Sequence, residues 1–70
     1  MNANDLLAHL QRQKDDAFAL MMSWDARLAA AQDCGDKIGQ TATRVPRDHY
    51  TDLVIDLTGQ INKLKGLING

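Results

Sequence analysis

Apolar residues in the first half of the chain recur at alternating steps of three and four positions. The pattern begins at Leu7 and continues to Ala31, and Lys14 fills the one position that is not apolar. Such a heptad spacing places its members along one face of an α-helix and predicts a long helix over about residues 3–34. The predicted helix over about residues 3–34 is called α1. Its face expected to meet a neighbour, called the α1 seam, comprises Leu7, Leu10, Lys14, Ala17, Met21, Trp24, Leu28 and Ala31.

The residues at both ends of this helix favour its start and its stop. Asn2 or Asn4 can cap the first turn, and Asp5 lies where a carboxylate is stabilised by the helix dipole. Gly35 favours a left-handed stop, and Ile38 is available for the apolar contact that often accompanies such a cap. A polar residue within a seam, such as Lys14, can specify the register of helix pairing.

A second apolar stripe follows Pro46, the single proline of the chain. Proline suits the first helical position because it lacks an N–H and its φ is already helical, and Asp48 then falls in the favourable first turn. This pattern predicts a helix over about residues 46–69, joined to the first by a link over residues 35–45. Its apolar positions are Tyr50, Leu53, Val54, Leu57, Ile61, Leu64, Leu67 and Ile68.

These elements predict an all-α fold in which residues 1–70 form one domain, a two-helix antiparallel hairpin. A domain of this size buries only about 60% of the surface of its unfolded chain, and one small core rarely supplies more than about 3–5 kcal/mol. The single cysteine, Cys34, excludes an intramolecular disulfide. We therefore expect a second copy of the chain, or a larger protein, to complete a helical bundle.

Composition narrows the classes of function. Eight Lys and Arg residues against nine Asp give a net charge of −1, which disfavours a nucleic-acid-binding regulator. The longest apolar run, over residues 17–22, is far shorter than the ~20 residues that span a bilayer. No signal peptide is recognisable at the start, and a lone cysteine is typical of a reducing compartment. The expected location is cytoplasmic, away from the membrane.

No pattern of catalytic residues stands out in the chain. It has no Gly-rich phosphate loop, no Gly-x-Ser-x-Gly elbow and no paired cysteine motif. Cys34 and His49 are the pair that could supply a nucleophile and a base, but a small half-buried cysteine is the simpler interpretation. Small acidic groups around Cys34 and His49 lack the Cys and His count of a structural zinc site. We expect no enzymatic activity, no cofactor and no metal.

The apolar residues of the first helix wrap around more than one face. Met and Trp are enriched at protein interfaces, and a two-helix hairpin has no third layer to cover them. The sequence therefore favours a non-enzymatic module, such as a co-chaperone, adaptor or inhibitor, that binds itself or a larger protein through an apolar helical face. The predicted interface residues are Leu10, Phe18, Met21, Met22, Trp24 and Leu28.

The link and the start of the second helix form the locally basic part of the chain. Arginines beside a helix N-terminus favour anions. An alternative hypothesis is therefore an oligomer with an anion or nucleotide site at Arg44, Arg47, His49 and Tyr50.

A long helix, a link and a second helix led by Tyr50 form an arrangement similar in architecture to the needle co-chaperones of type III secretion. Small phage-encoded inhibitors are built on the same scale. The resemblance lies in architecture without a shared motif, and it implies a protein that holds or blocks a larger partner.

Overall fold

Two long helices lie side by side in the computed structural model, which describes residues 2–69. Helix α1 spans Ala3–Asp33 and helix α2 spans Lys37–Asn69, and the pair measures 50 × 15 × 14 Å. The described residues contain no strand, and the predicted all-α hairpin is confirmed.

The ends of α1 follow the sequence prediction. The Asp5 backbone N–H donates to Asn2 Oδ1 over 2.9 Å, so Asn2 is the N-cap. Gly35 has a φ of +71°, and its N–H donates to the carbonyl of Gln32. The Asp36 N–H donates to the carbonyl of Ala31, which completes a Schellman stop. Ile38, in contrast, is 85% exposed, so the apolar contact expected beside this cap is absent.

Helix α2 begins at Lys37, and the predicted start at Pro46 is wrong. Asp36 caps it, because its carboxylate accepts a 2.9 Å hydrogen bond from the Gly39 N–H. A Cβ at Gly39 would overlap that carboxylate, so glycine permits the close approach. The predicted link over 35–45 therefore shrinks to a turn, and Pro46 lies inside the helix.

Helix α2 runs through the proline because the face that it packs against α1, called the α2 seam, continues on both sides of Pro46, although its first half is polar. The α2 seam is half-buried or buried at steps of three and four, and Thr43 Oγ1 donates to the carbonyls of Gly39 and Gln40. The hydroxyl is thus satisfied within its own helix. An internal proline costs about 3 kcal/mol, and α2 accommodates Pro46 without ending there. The α2 seam comprises Gln40, Thr43, Arg47, Tyr50, Val54, Leu57, Ile61 and Leu64.

The α1 seam is confirmed residue by residue. Within α1, the eight predicted seam positions are the residues that are not exposed, and Lys14 is half-buried among them. Leu10 and Ala17 form the buried core with Leu57 and Ile61 of α2. The main core therefore lies away from the turn, while Leu28 and Ala31 are buried closer to it.

Candidate functional site

Exposed apolar side chains lie on two opposite flanks of the hairpin. On one flank lie residues that directly follow a seam residue, such as Phe18 and Asp25 in α1. On the other lie residues that directly precede one, such as Leu20 in α1 and Leu53 in α2. Helical periodicity places these two sets on opposite sides of the contact between the helices.

The first flank, called the Phe18 face, joins both helices through an ion pair. Arg47 of α2 reaches Asp25 of α1 with a separation of 3.5 Å between Nη1 and Oδ1. Thr51 and Thr58 are half-buried, and their hydroxyls donate to carbonyls four residues earlier. The face comprises Phe18, Met22 and Asp25 of α1 with Arg47, Thr51, Ile55 and Thr58 of α2.

Three large apolar side chains on the Phe18 face remain uncovered. Phe18 is 48% exposed, Met22 is 51% exposed and Ile55 is 63% exposed. Phe18 and Met22 are neighbours one turn apart on α1. This side of the closed hairpin therefore keeps apolar surface in water.

The six predicted interface residues divide between the seam and the Phe18 face. Leu10 and Leu28 are buried in the α1 seam, and Met21 is half-buried there. Trp24 is also half-buried in the seam, with the guanidinium of Arg27 4.6 Å above its ring. The other two residues, Phe18 and Met22, lie on the open face.

The second flank, called the Leu20 face, contains an open groove of about 270 Å³. Residues of both helices form its walls, which confirms that Leu20 and Leu53 share one side of the hairpin. The groove is lined by Gln13, Asp16, Ala17, Leu20, Tyr50, Leu53 and Leu57. Continued at seven-residue intervals, the face comprises Leu6, Gln13 and Leu20 of α1 with Leu53, Gln60 and Leu67 of α2.

The predicted anion-site residues lie on a continuous helix, not at its N-terminus. Arg44 is exposed, whereas Arg47 is half-buried beside Asp25 and Asp48. Because α2 begins at Lys37, the backbone N–H groups near Pro46 are not the free donors of a helix start. His49 and Tyr50 meet edge to face with ring centroids 5.1 Å apart. The arginines of the predicted anion site are present, but the helix N-terminus on which that hypothesis rested does not lie beside them.

Arg47 is held by charge without a well-directed hydrogen bond at Nε. Its Nε lies 2.9 Å from Asp48 Oδ1, yet this buried nitrogen has no partner at hydrogen-bonding geometry. The pairing is therefore electrostatic, and the N–H of Nε is left unsatisfied.

The thiol of Cys34 lies at the turn, separated from His49. Cys34 is exposed, and its Sγ contacts the carbonyl of Ala31 at 3.5 Å. At ~1.5 Å per residue, His49 lies about 18 Å along α2 from Lys37, so the suggested pair of nucleophile and base does not form. Residues 2–69 contain no group of three or more His, Cys or Asp side chains placed to hold a metal ion.

The sequence contains a signal from which the Leu20 face could have been predicted on both helices. A seven-residue interval links Leu6, Gln13 and Leu20, and the same interval links Leu53, Gln60 and Leu67. A pattern of apolar positions does not include the two glutamines, because their amide side chains are polar. Ile55 is exposed and lies off the α2 seam.

Comparison of the chain with family models, with curated proteins and with solved structures gave no match. Within residues 2–69, neither helix combines the length and the hydropathy needed to cross a membrane. Tyr50 lies in the middle of α2, so the Tyr-led second helix on which the architectural resemblance rested is absent.

Proposed function

We propose that this chain is a non-enzymatic interaction module that binds a larger protein through the Phe18 face. The observation that carries the proposal is the exposure of Phe18, Met22 and Ile55 on one side of a hairpin that is already closed. Burying apolar surface is worth roughly 25 cal/mol per Å², so covering these side chains supplies a driving force for association. Phenylalanine and methionine are also enriched at protein interfaces.

The form of this surface favours a partner that offers an apolar groove. Phe18 and Met22 present a narrow apolar strip, the form in which a groove receives the apolar face of an amphipathic helix. Asp25 and Arg47 mark the end of the strip closer to the turn and provide a polar rim. Binding there would let the module act as an adaptor, co-chaperone or inhibitor that holds or blocks its partner.

A cytoplasmic location is part of this proposal. Cys34 is exposed and has no second cysteine in the chain with which to pair. A free surface thiol is best preserved where thiols are kept reduced.

Position-specific photo-crosslinking in the native host tests the proposal. A benzoylphenylalanine at position 18 should give one protein adduct of discrete mass, identifiable by mass spectrometry. The same group at position 19, where the exposed Ala19 points away from the face, is the matched control and should give none. Met22→Lys should abolish the adduct from position 18 while circular dichroism shows unchanged helix content. Equal adducts from both positions, or none from position 18, would refute binding through this face.

A further inference from the structure

The Leu20 face carries the same series of three residues, leucine, glutamine and leucine, on both helices. Leu6, Gln13 and Leu20 follow one another at seven-residue intervals in α1, and α2 repeats the order as Leu53, Gln60 and Leu67. Seven residues advance a helix by about 10.5 Å, or two turns.

Antiparallel pairing turns this repetition into layers. Leu20 lies five residues before Asp25, and Leu53 lies six residues after Arg47, the ion-pair partner of Asp25, so the two leucines, which line one groove, lie at about the same level along the hairpin. Equal steps away from the turn then bring Gln13 level with Gln60, and Leu6 level with Leu67. The face therefore displays a leucine layer, a glutamine layer and a leucine layer, in an order that is the same from either end.

We infer that the Leu20 face binds a second copy of this chain and closes a four-helix bundle. A symmetric dimer requires a surface that complements itself across a two-fold axis, and this layer order meets that requirement. The axis lies in the interface, perpendicular to the helices, at the glutamine layer. It sets the leucines of one copy on those of the other and sets glutamine on glutamine. Each amide both donates and accepts, so the central layer satisfies itself.

The shape of the face fits the same arrangement. The groove beside Leu20 and Leu53 is concave and mainly apolar, whereas Leu67 near the open end is 79% exposed. Rotation about the axis carries Leu67 of the second copy over Leu53, and Leu6 of the second copy over Leu20. The exposed end of each hairpin thus fills the groove of the other.

Charges along the outer edges select this axis over the other symmetric choice. His9 and Asp16 flank the face on α1, and Asp56 and Lys63 flank it on α2, seven residues apart in each case. The perpendicular axis brings Asp56 to Lys63 of the second copy, and Asp16 to His9. An axis parallel to the helices would instead set Asp16 against Asp56 and His9 against Lys63. The first arrangement pairs the Asp56 carboxylate with the Lys63 ammonium, whereas the second sets the Asp16 and Asp56 carboxylates against each other.

The incomplete burial of side chains within the hairpin is consistent with a second layer of helices supplied by another copy. Among residues 2–69 no large side chain is fully buried. In the same residues the ion pairs are those of Arg47 with Asp25 and Asp48, so Asp56 and Lys63 are not ion-paired within the hairpin.

Solution mass and engineered cysteines test the dimer. Light scattering of the intact chain should give twice the 7.7 kDa chain mass, and Leu53→Asp should reduce it to one chain. Ile38→Asp, far more exposed and off the face, is the control and should remain dimeric. In a Cys34→Ser background, Gln60→Cys lies at the axis and should form a disulfide with its own copy on oxidation, whereas Ser23→Cys should not.

A charge swap separates the two axes. Asp56→Lys should weaken the dimer at least tenfold, and adding Lys63→Asp should restore it. A monomer at all concentrations, a dimer insensitive to Leu53→Asp, or a dimer strengthened by Asp56→Lys would overturn this inference. Because Phe18 lies on the opposite flank, loss of dimerisation leaves crosslinking from position 18 as an independent result.

Discussion

Arg47 of α2 and Asp25 of α1 form the ion pair that joins the two helices within residues 2–69, with 3.5 Å between Nη1 and Oδ1. Their side chains are 32% and 54% exposed, respectively. Ion pairs with this much solvent contribute about 0–1 kcal/mol. Arg47 also occupies a seam position, where its Nε is buried beside Asp48 without a directed hydrogen bond. The side chain therefore combines a weak attraction with an unsatisfied donor.

Replacing this arginine should not weaken the hairpin. Arg47→Met keeps an unbranched apolar stem in the seam and removes the unsatisfied N–H, which costs roughly 1–3 kcal/mol when buried. We expect the free energy of unfolding to stay level or rise by about 1 kcal/mol, a shift in Tm of roughly 4–8 °C. Thermal denaturation followed by circular dichroism, at fixed protein concentration, measures it.

The control for this change is Arg44→Met, three residues earlier and exposed to solvent. It should leave Tm unchanged. A fall of more than about 1 kcal/mol in Arg47→Met alone would show that the ion pair holds the helices together.

The first helix could be predicted almost completely from the sequence. Its seam consists of apolar residues with one interruption, Lys14, so spacing and composition indicate the same face. Its caps at Asn2 and Gly35 use residue types with a direct conformational reason for their positions.

The second helix was predicted only where its seam is apolar. From Gln40 through Thr43 to Arg47 the steps of three and four continue, but polar side chains conceal them from a search for apolar residues. Pro46 then offered a plausible helix start, although packing and the Asp36 cap decide the start at Lys37. Packing against α1 and the Asp36 cap therefore outweighed the local preference of Pro46 for the start of a helix.

The candidate interface was predicted in part because seams and docking faces have the same composition. Leu10 and Leu28 are as apolar as Phe18 and Met22, and only the position of α2 separates them. A single helix pattern shows which residues avoid water. It does not show which neighbour covers them.

Lys14 is the interruption in the α1 seam and is half-buried there. Full burial of a leucine contributes about 1.5–3 kcal/mol, and the lysine stem already covers part of the same surface. Lys14→Leu should therefore raise the free energy of unfolding by about 1 kcal/mol. Urea denaturation monitored by Trp24 fluorescence and by circular dichroism measures the change.

Arg12→Leu is the matched control, because Arg12 is exposed on the opposite side of α1. It should change stability by less than about 0.5 kcal/mol. Destabilisation by Lys14→Leu would mean that the charged group itself holds the seam. An unchanged solution mass in this variant would refute the hypothesis that Lys14 specifies the register of helix pairing.

The hypothesis of an anion site near Arg44 is tested by ligand-dependent stability. Arg47 is already paired with carboxylates, and no helix begins beside it. We therefore expect inorganic phosphate and ATP to leave Tm unchanged at constant ionic strength. A specific ligand at a hundred times its Kd would instead add about 2.7 kcal/mol. A saturable rise in Tm that disappears in Arg44→Gln would support the anion-binding alternative.

Gly59 and Gly35 should respond with opposite signs to the same substitution. A Cβ meets no heavy atom within 4 Å at either position, so steric overlap does not separate them. Gly59 lies inside α2, where alanine is favoured over glycine by about 1 kcal/mol. Gly35 has a φ of +71°, a conformation that a residue with a Cβ adopts at a cost of about 1–2 kcal/mol. Gly59→Ala should raise Tm and Gly35→Ala should lower it, both measured by thermal denaturation. A rise in both variants would contradict the left-handed stop between the helices, and a fall in both would contradict the continuous helix through residue 59.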